Sequence, residues 1–154
     1  MNKLLYKLLL ITFSLLPATA LAESLDEILA MKEAPTGVVI EVIEPGAEAL
    51  RQKMLKISDA ARKIRQVFPE LPIAVVSHGA EQFSLTSKNI KKHKSLESNV
   101  KQLVSDDVDL HVCGTHASWY GVEPEDYPDY IDVSATGPAQ INDYVNTGYI
   151  MLDL

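Results

Sequence analysis

The feature that most constrains the fold is a continuous apolar run at residues 71–76, which ends abruptly at Ser77-His78-Gly79. A strand with one solvated face alternates apolar and polar side chains, whereas an unbroken run indicates that both faces of the sheet are covered. Both faces are covered in parallel sheets that lie between layers of helices. The run therefore predicts an interior strand of an α/β protein.

The rest of the chain alternates between predicted strands and predicted helices. β-branched or apolar segments bounded by turn residues predict four further strands, at 37–43, 108–113, 130–134 and 148–152. Apolar residues at helical spacing predict helices at 47–67, 93–104 and 138–145, with a helical turn at 81–86. Strands separated by helices predict a three-layer α/β/α sandwich with a five-stranded, mainly parallel sheet over residues 37–154.

The first 22 residues have the pattern of a secretory signal peptide. Lys3 and Lys7 precede an apolar stretch at 8–16, and residues 17–22 end in small residues that signal peptidase recognises. We expect cleavage after Ala22 and a location in a Gram-negative periplasm, with an uncleaved anchor as the alternative. A polar lead at 23–36 then precedes the domain.

Charge excludes two classes of partner. Removal of the signal peptide leaves 12 basic and 21 acidic side chains, a net charge of −9. Nucleic acids and anionic membranes both need a basic surface to replace their counterions, so we expect neither as a partner of the mature protein. About 130 residues remain, enough for one domain with a single core.

Cys113 is the only cysteine, and it cannot form an internal disulfide. It ends the predicted strand at 108–113, while His78 follows the strand at 71–76. Ligands of open α/β sheets collect at the carboxyl ends of the strands. We therefore expect His78 and Cys113 to lie at the same edge of the sheet.

Histidines surround this thiol in the sequence. A reactive cysteine needs a nearby cation or hydrogen-bond donors that favour the thiolate, and the candidates are His78, His111, His116 and the N–H groups that follow Cys113. Strand alternation places His111 on the same face as Cys113. His116 comes one helical turn later if the chain coils after Cys113. The alternative is a buried, unreactive cysteine in a structural oligomer without chemistry.

The same residues support a metal site or a small-ligand binding module as another alternative. His111, Cys113 and His116, with His78 from the neighbouring loop, offer imidazole and thiolate ligands that suit zinc or copper. Their spacing does not match a standard zinc finger or ribbon, so the hypothesis depends on ligand type alone.

Aromatic and acidic residues follow the thiol. Trp119-Tyr120, Tyr127 and Tyr130 can line a pocket, form a subunit contact or pack in the core. The segment 123–130 is acidic and contains two prolines, which favours a solvated loop over a docking site for a basic partner.

The element order and three short motifs together resemble the DsrE/DsrF-like family of sulfur-relay proteins. The motifs are Ser77-His78-Gly79, Cys113-Gly114, and residues 134–137 leading through a helix into Gly148-Tyr149-Ile150. The resemblance implies a five-stranded parallel sheet of flavodoxin-like type, assembly into trimers or hexamers, and partner proteins that donate and accept sulfur. It also implies that Cys113 holds sulfur as a persulfide, with no other cofactor. The signal peptide departs from the cytoplasmic sulfur carriers of the family.

Overall fold

Residues 22–154 are described by the structure, a computed structural model of the chain. These residues form six strands and six α-helices, with 3-10 turns at Ala80–Leu85 and Pro124–Asp126. The strands are β1 (Glu23–Ser24), β2 (Gly37–Val42), β3 (Ile73–Ser77), β4 (Val108–Cys113), β5 (Asp132–Ser134) and β6 (Tyr149–Asp153). The helices are α1 (Leu25–Leu29), α2 (Ala47–Val67), α3 (Ser87–Ile90), α4 (Lys94–Ser105), α5 (Gly114–Ser118) and α6 (Gly137–Asn146).

All six strands run parallel in one sheet, in the order β1-β6-β2-β3-β4-β5. The predicted α/β architecture with a parallel sheet is confirmed, and the sheet has one strand more than the five expected. The additional strand is β1, which pairs with β6 through Glu23 with Leu152 and Ser24 with Asp153. It comes from the lead segment, where no element was predicted, because two residues are too few to show a hydrophobic period.

Helix α1 also lies in the lead segment, and its start is fixed by a capping box. The Ser24 hydroxyl accepts a hydrogen bond from the Glu27 N–H, and the Glu27 carboxylate accepts one from the Ser24 N–H. These two bonds satisfy backbone donors that a helix start otherwise leaves unpaired. Ile28 is then fully buried in the main core, so the lead segment is part of the fold.

The sheet separates two cores of unequal size. Helices α1, α2 and α4 pack on one face and form the main core, whereas α6 covers the other face. Strands β2 and β3 are buried on both sides, as the unbroken apolar runs predict. Their side chains alternate between the main core (Val38, Ile40, Ile73, Val75) and the α6 side (Val39, Ala74, Val76).

Strand β4 departs from this pattern because α6 is a single helix of 10 residues. Val108, Leu110 and Val112 face the main core, but Asp109 is exposed and His111 is only partly buried. The outer face of the sheet is therefore polar near β4 and apolar near β2 and β3.

The bounds of α2 agree with the prediction residue for residue. The helix ends there because Phe68 precedes Pro69, and the residue before a proline is disfavoured in the helical region. The strand predicted at 130–134 is shorter than expected, since only Asp132–Ser134 pairs with β4.

The signal peptide prediction concerns residues 1–22, which lie outside the described residues apart from Ala22. Within residues 22–154, no helix combines the length and the apolar character needed to cross a membrane.

Candidate functional site

The carboxyl ends of β3 and β4 are adjacent in the sheet. Their last paired residues are Ser77 and Val112. His78 and Cys113 come directly after these residues, so the chain leaves the sheet at neighbouring positions. The structure thus agrees with the prediction that both residues lie at one edge of the sheet.

Cys113 is at once the last residue of β4 and the N-cap of α5. Its Sγ accepts a hydrogen bond from the backbone N–H of His116 at 3.4 Å. Such a bond is stronger to a thiolate than to a thiol, because the donor dipole points at the negative charge. Cys113 is 5% exposed, so the residue is buried.

A fully buried glutamine holds the backbone of Cys113 in place. The side-chain oxygen of Gln82 accepts a hydrogen bond from the Cys113 N–H at 2.9 Å. The side-chain nitrogen of Gln82 lies 2.8 Å from Nδ1 of His116. The Gln82 amide therefore connects the backbone of Cys113 to the ring of His116, and the backbone N–H of His116 in turn bonds the Cys113 sulfur.

The His116 ring has a second polar contact and an aromatic environment. Nδ1 lies 2.9 Å from the backbone oxygen of His78. Phe83, Trp119 and Tyr120 contact the ring edge to face, with centroid distances of 5.3, 5.7 and 5.5 Å. Trp119 and Tyr120 are 73% and 68% exposed, so they form an exposed aromatic surface beside the His116 ring.

Glu81 organises the chain that carries these groups. Its fully buried carboxylate accepts hydrogen bonds from the Ser77 hydroxyl at 2.7 Å, the Gly79 N–H at 3.0 Å and the Glu44 N–H at 2.7 Å. A Cβ at Gly79 would collide with this carboxylate and lie 3.0 Å from Ile43 Cγ2. Close approach of the backbone to Glu81 therefore requires glycine at position 79.

The side chain of His78 lies in a different environment from its backbone oxygen. Nε2 lies 2.7 Å from a Glu41 carboxylate oxygen. A Cβ at Gly137 would be 2.5 Å from the His78 Cβ, so the start of α6 packs directly on this histidine. His78 thus contributes its carbonyl, and not its ring, to the contacts around His116.

His111 bonds outside the Cys113 network. Its Nε2 lies 2.8 Å from the Tyr144 hydroxyl of α6. Burial lowers the pKa of His111 below its usual 6.5, and the negative charges of Asp132 and Asp109 partly oppose this shift. Strand alternation does place His111 on the α6 face of the sheet, but its ring packs on Tyr144. Among the described residues, the His111 ring forms no hydrogen bond with Cys113, Gln82 or His116.

Tyr127 has a buried hydroxyl without a partner. The side chain is 4% exposed and packs in the main core, and its hydroxyl forms no hydrogen bond within residues 22–154. Burial raises the pKa of Tyr127 to about 12, with smaller contributions from Cys113, Asp126 and Glu81. The phenol therefore stays protonated near the thiol and the buried carboxylate.

The three histidines considered as metal ligands have separate side-chain partners. The His78 ring bonds Glu41, the His111 ring bonds Tyr144, and the His116 ring bonds Gln82. Among the described residues, no three His, Cys, Asp or Glu side chains converge in a way that could hold a metal ion.

Gln82 and Glu81 were not predicted as site residues. The segment 81–86 was expected only to form a helical turn, and a polar residue in such a turn gives no sign in the sequence that it will be buried. Only the position of this turn, directly after a strand that ends in the site, could have indicated Gln82 and Glu81.

Comparison with known proteins agrees with the fold and the element order. The family model of the DsrE/DsrF-like family matches residues 37–154, most of the chain. The chain belongs to the DsrE/DsrF-like family. Members of this family generally act in sulfur relay, which agrees with the resemblance seen in the sequence.

Two solved structures share the DsrE/DsrF-like fold with this chain. A protein of unknown function from Methanobacterium thermoautotrophicum, MTH1491, has a TM-score of 0.61 at 16% identity, over 75% of this chain and 97% of that one. The YchN protein from E. coli has a TM-score of 0.56 at 12% identity, over 77% and 99%. At these identities the likeness concerns the fold alone. No curated protein sequence matches the chain.

Proposed function

We propose that the protein is an exported, periplasmic sulfur carrier that holds sulfur as a persulfide on Cys113. Membership of a sulfur-relay family supports this role, and the pattern of residues 1–22 supports export. The observation that carries the proposal is the N–H of His116 directed at Cys113 Sγ, at the carboxyl edge of the sheet. The chain's only thiol lies at the edge where ligands of such sheets collect, and a backbone N–H donates a hydrogen bond to its sulfur.

Loading and unloading are the same exchange run between different partners. The Cys113 thiolate attacks the outer sulfur of a donor persulfide, and a new S–S bond forms at Cys113. The S–S bond of the donor breaks, and the donor leaves as a thiolate that takes a proton from solvent. An acceptor thiolate then attacks the outer sulfur on Cys113. The exchange is balanced, so no oxidant or additional cofactor is required.

The histidines have unequal roles in this proposal. His116 acts at the sulfur through its N–H. His78 contributes its backbone oxygen, which lies against the His116 ring. His111 has no direct part, because its ring bonds Tyr144.

One observation favours a second candidate function, a structural oligomer without chemistry. Cys113 is 5% exposed, and a buried thiol in a packed site is unreactive unless the site opens. The two candidates differ in the rate at which iodoacetamide alkylates the folded protein. A carrier reacts well before global unfolding, whereas an inert cysteine reacts only at the rate of unfolding.

We also propose that the mature protein is a homo-oligomer, a trimer or hexamer, that exchanges sulfur with donor and acceptor proteins. The exposed Ile43, Trp119 and Tyr120 support this proposal, because apolar and aromatic surface of this kind is typical of interfaces. Light scattering coupled to size exclusion measures the subunit count directly, and a monomer at all concentrations contradicts it.

The test of the carrier function is intact-mass spectrometry of protein purified anaerobically from its native compartment, and again after exposure to glutathione persulfide. We expect a gain of one sulfur atom that mild reduction removes. Cys113→Ser should show no gain while keeping its fold, because serine is a favoured N-cap residue. His93→Gln, at the exposed start of α4, is the matched control. A wild-type protein that stays bare, or equal loading of Cys113→Ser, contradicts the proposal.

A further inference from the structure

The orientation of the Gln82 amide is fixed by its neighbours. The Cys113 N–H can only donate, so the atom 2.9 Å from it is the amide oxygen. The amide nitrogen then faces Nδ1 of His116 at 2.8 Å. Since an amide nitrogen can only donate, this contact is a hydrogen bond only when Nδ1 carries no proton.

The second contact of Nδ1 requires the opposite protonation state of this atom. The His78 carbonyl oxygen, 2.9 Å away, can only accept, so this contact is a hydrogen bond only when Nδ1 carries a proton. The ring cannot satisfy both neighbours in a single protonation state. Each contact therefore belongs to a different state of His116.

Burial decides which contact holds in the neutral ring. Gln82 is fully buried, and an Nδ1 proton would leave its amide N–H without an acceptor and facing another donor. Buried N–H groups without partners are rarer in proteins than carbonyl oxygens with an unused lone pair. The His78 carbonyl tolerates the lost bond better than Gln82 does. The neutral ring therefore carries its proton on Nε2, and the imidazolium uses the His78 carbonyl.

We propose that Gln82 is a positioning residue that fixes neutral His116 as the Nε2–H tautomer, so that the ring presents an N–H donor to an incoming persulfide or polysulfide anion. Nε2 has no hydrogen-bond partner among the described residues. Phe83, Trp119 and Tyr120 contact this ring edge to face, which holds its orientation. This inference rests on the proposed carrier function. It makes His116 a hydrogen-bond donor and not the base that deprotonates Cys113.

The tautomer is tested on the resting protein by nitrogen-15 NMR of the His116 ring, in alkaline buffer where the ring is neutral. We expect the Nε2–H pattern in the wild type. In Gln82→Met, which keeps the volume of the side chain but removes the amide, the His78 carbonyl is the remaining partner and the Nδ1–H tautomer should dominate. An Nδ1–H ring in the wild type overturns the proposal, whether or not the methionine variant folds.

The donor role is tested by rates of sulfur uptake from glutathione persulfide. His116→Asn carries an amide that reaches only the position of Nδ1, and should slow uptake about tenfold to a hundredfold, the loss expected for one hydrogen bond to a charged group. His116→Gln places an amide N–H near the position of Nε2, and should recover most of that loss. If His116 acts as a base, glutamine fails as badly as asparagine, and the donor role is wrong.

The two tests separate this inference from the proposed function. A wild type with the Nε2–H tautomer that takes up no sulfur overturns the carrier function and the donor role, but leaves the positioning by Gln82 intact. Sulfur uptake by a wild type with an Nδ1–H ring leaves the carrier function intact and overturns the inference.

Discussion

Replacing Glu81 by glutamine should destabilise the protein well beyond the cost of an ordinary polar substitution. One carboxylate oxygen accepts hydrogen bonds from the Ser77 hydroxyl and the Gly79 N–H, and the other accepts from the Glu44 N–H. Glutamine keeps one oxygen and converts the other to an NH2 group. If the glutamine side chain keeps the orientation that preserves the bonds from Ser77 and Gly79, its NH2 group faces the Glu44 N–H. Two donors then face each other without an acceptor.

The magnitude follows from the bond that is lost. Leaving a buried donor without an acceptor costs about 1–3 kcal/mol, more where the lost acceptor was charged. We expect Glu81→Gln to lower the free energy of unfolding by about 2 kcal/mol, a large part of the stability of a small domain. Glu81→Ala removes all three acceptor contacts and should cost more, but it carries the risk of unfolding the domain.

Urea denaturation of the mature domain, followed by circular dichroism, measures the change in the free energy of unfolding from the shift of the midpoint, provided that the slope is the same in both proteins. Glu48→Gln is the matched control, because Glu48 is exposed on α2 and its hydrogen-bond partners among the described residues are Arg51 and Gln52 of the same helix. The control should change stability by less than about 0.5 kcal/mol, as most surface substitutions do. An equally small change in Glu81→Gln would refute the role given to the buried carboxylate.

Two further predictions concern polar groups away from the Glu81 cluster. Tyr127→Phe removes a buried hydroxyl that has no hydrogen-bond partner within residues 22–154. Thermal unfolding should therefore show equal or higher stability, by up to about 1 kcal/mol, and a loss of more than about 1 kcal/mol contradicts this prediction. The pKa of His111 is lower in the folded protein than in the unfolded chain, so the unfolded chain takes up a proton at the higher pH. The contribution of His111 to the free energy of unfolding is therefore full above pH 6.5 and declines as the pH falls below that value. Urea midpoints at about pH 7.5 and about pH 5.5 should therefore differ less in His111→Gln than in wild type, and an equal difference in both proteins contradicts the prediction.

The parts of the fold that were predictable are those where the sequence repeats a physical pattern. The unbroken apolar run at 71–76 predicted burial on both faces, and β3 indeed packs between the main core and α6. Helix α2 was predicted with its bounds because its apolar period is long and Pro69 ends it. β1 and α1 were missed because each is too short to show a period, although Ser24 and Glu27 do have the spacing of a capping box.

The site was predictable only as far as the carboxyl ends of the strands could be located. That reasoning placed His78 and Cys113 at one edge, but ring orientations depend on contacts distant in sequence. His111 bonds Tyr144, 33 positions later, and not its near neighbour Cys113. Gln82 lies 31 positions before the N–H that it binds. No local pattern encodes such pairs, because the packing of whole elements creates them.

The turn after Cys113 explains how one histidine serves two purposes. Because α5 starts immediately after the strand, the residue three positions on directs its N–H back to the sulfur, as at any helix start. The side chain of that residue leaves the helix separately and meets Gln82, whose oxygen holds the Cys113 N–H. Cys113, His116 and Gln82 therefore form a closed loop of contacts. A change at Gln82 must reach the thiol along both branches, through the backbone of Cys113 and through the ring of His116, although Gln82 makes no recorded hydrogen bond to the sulfur itself.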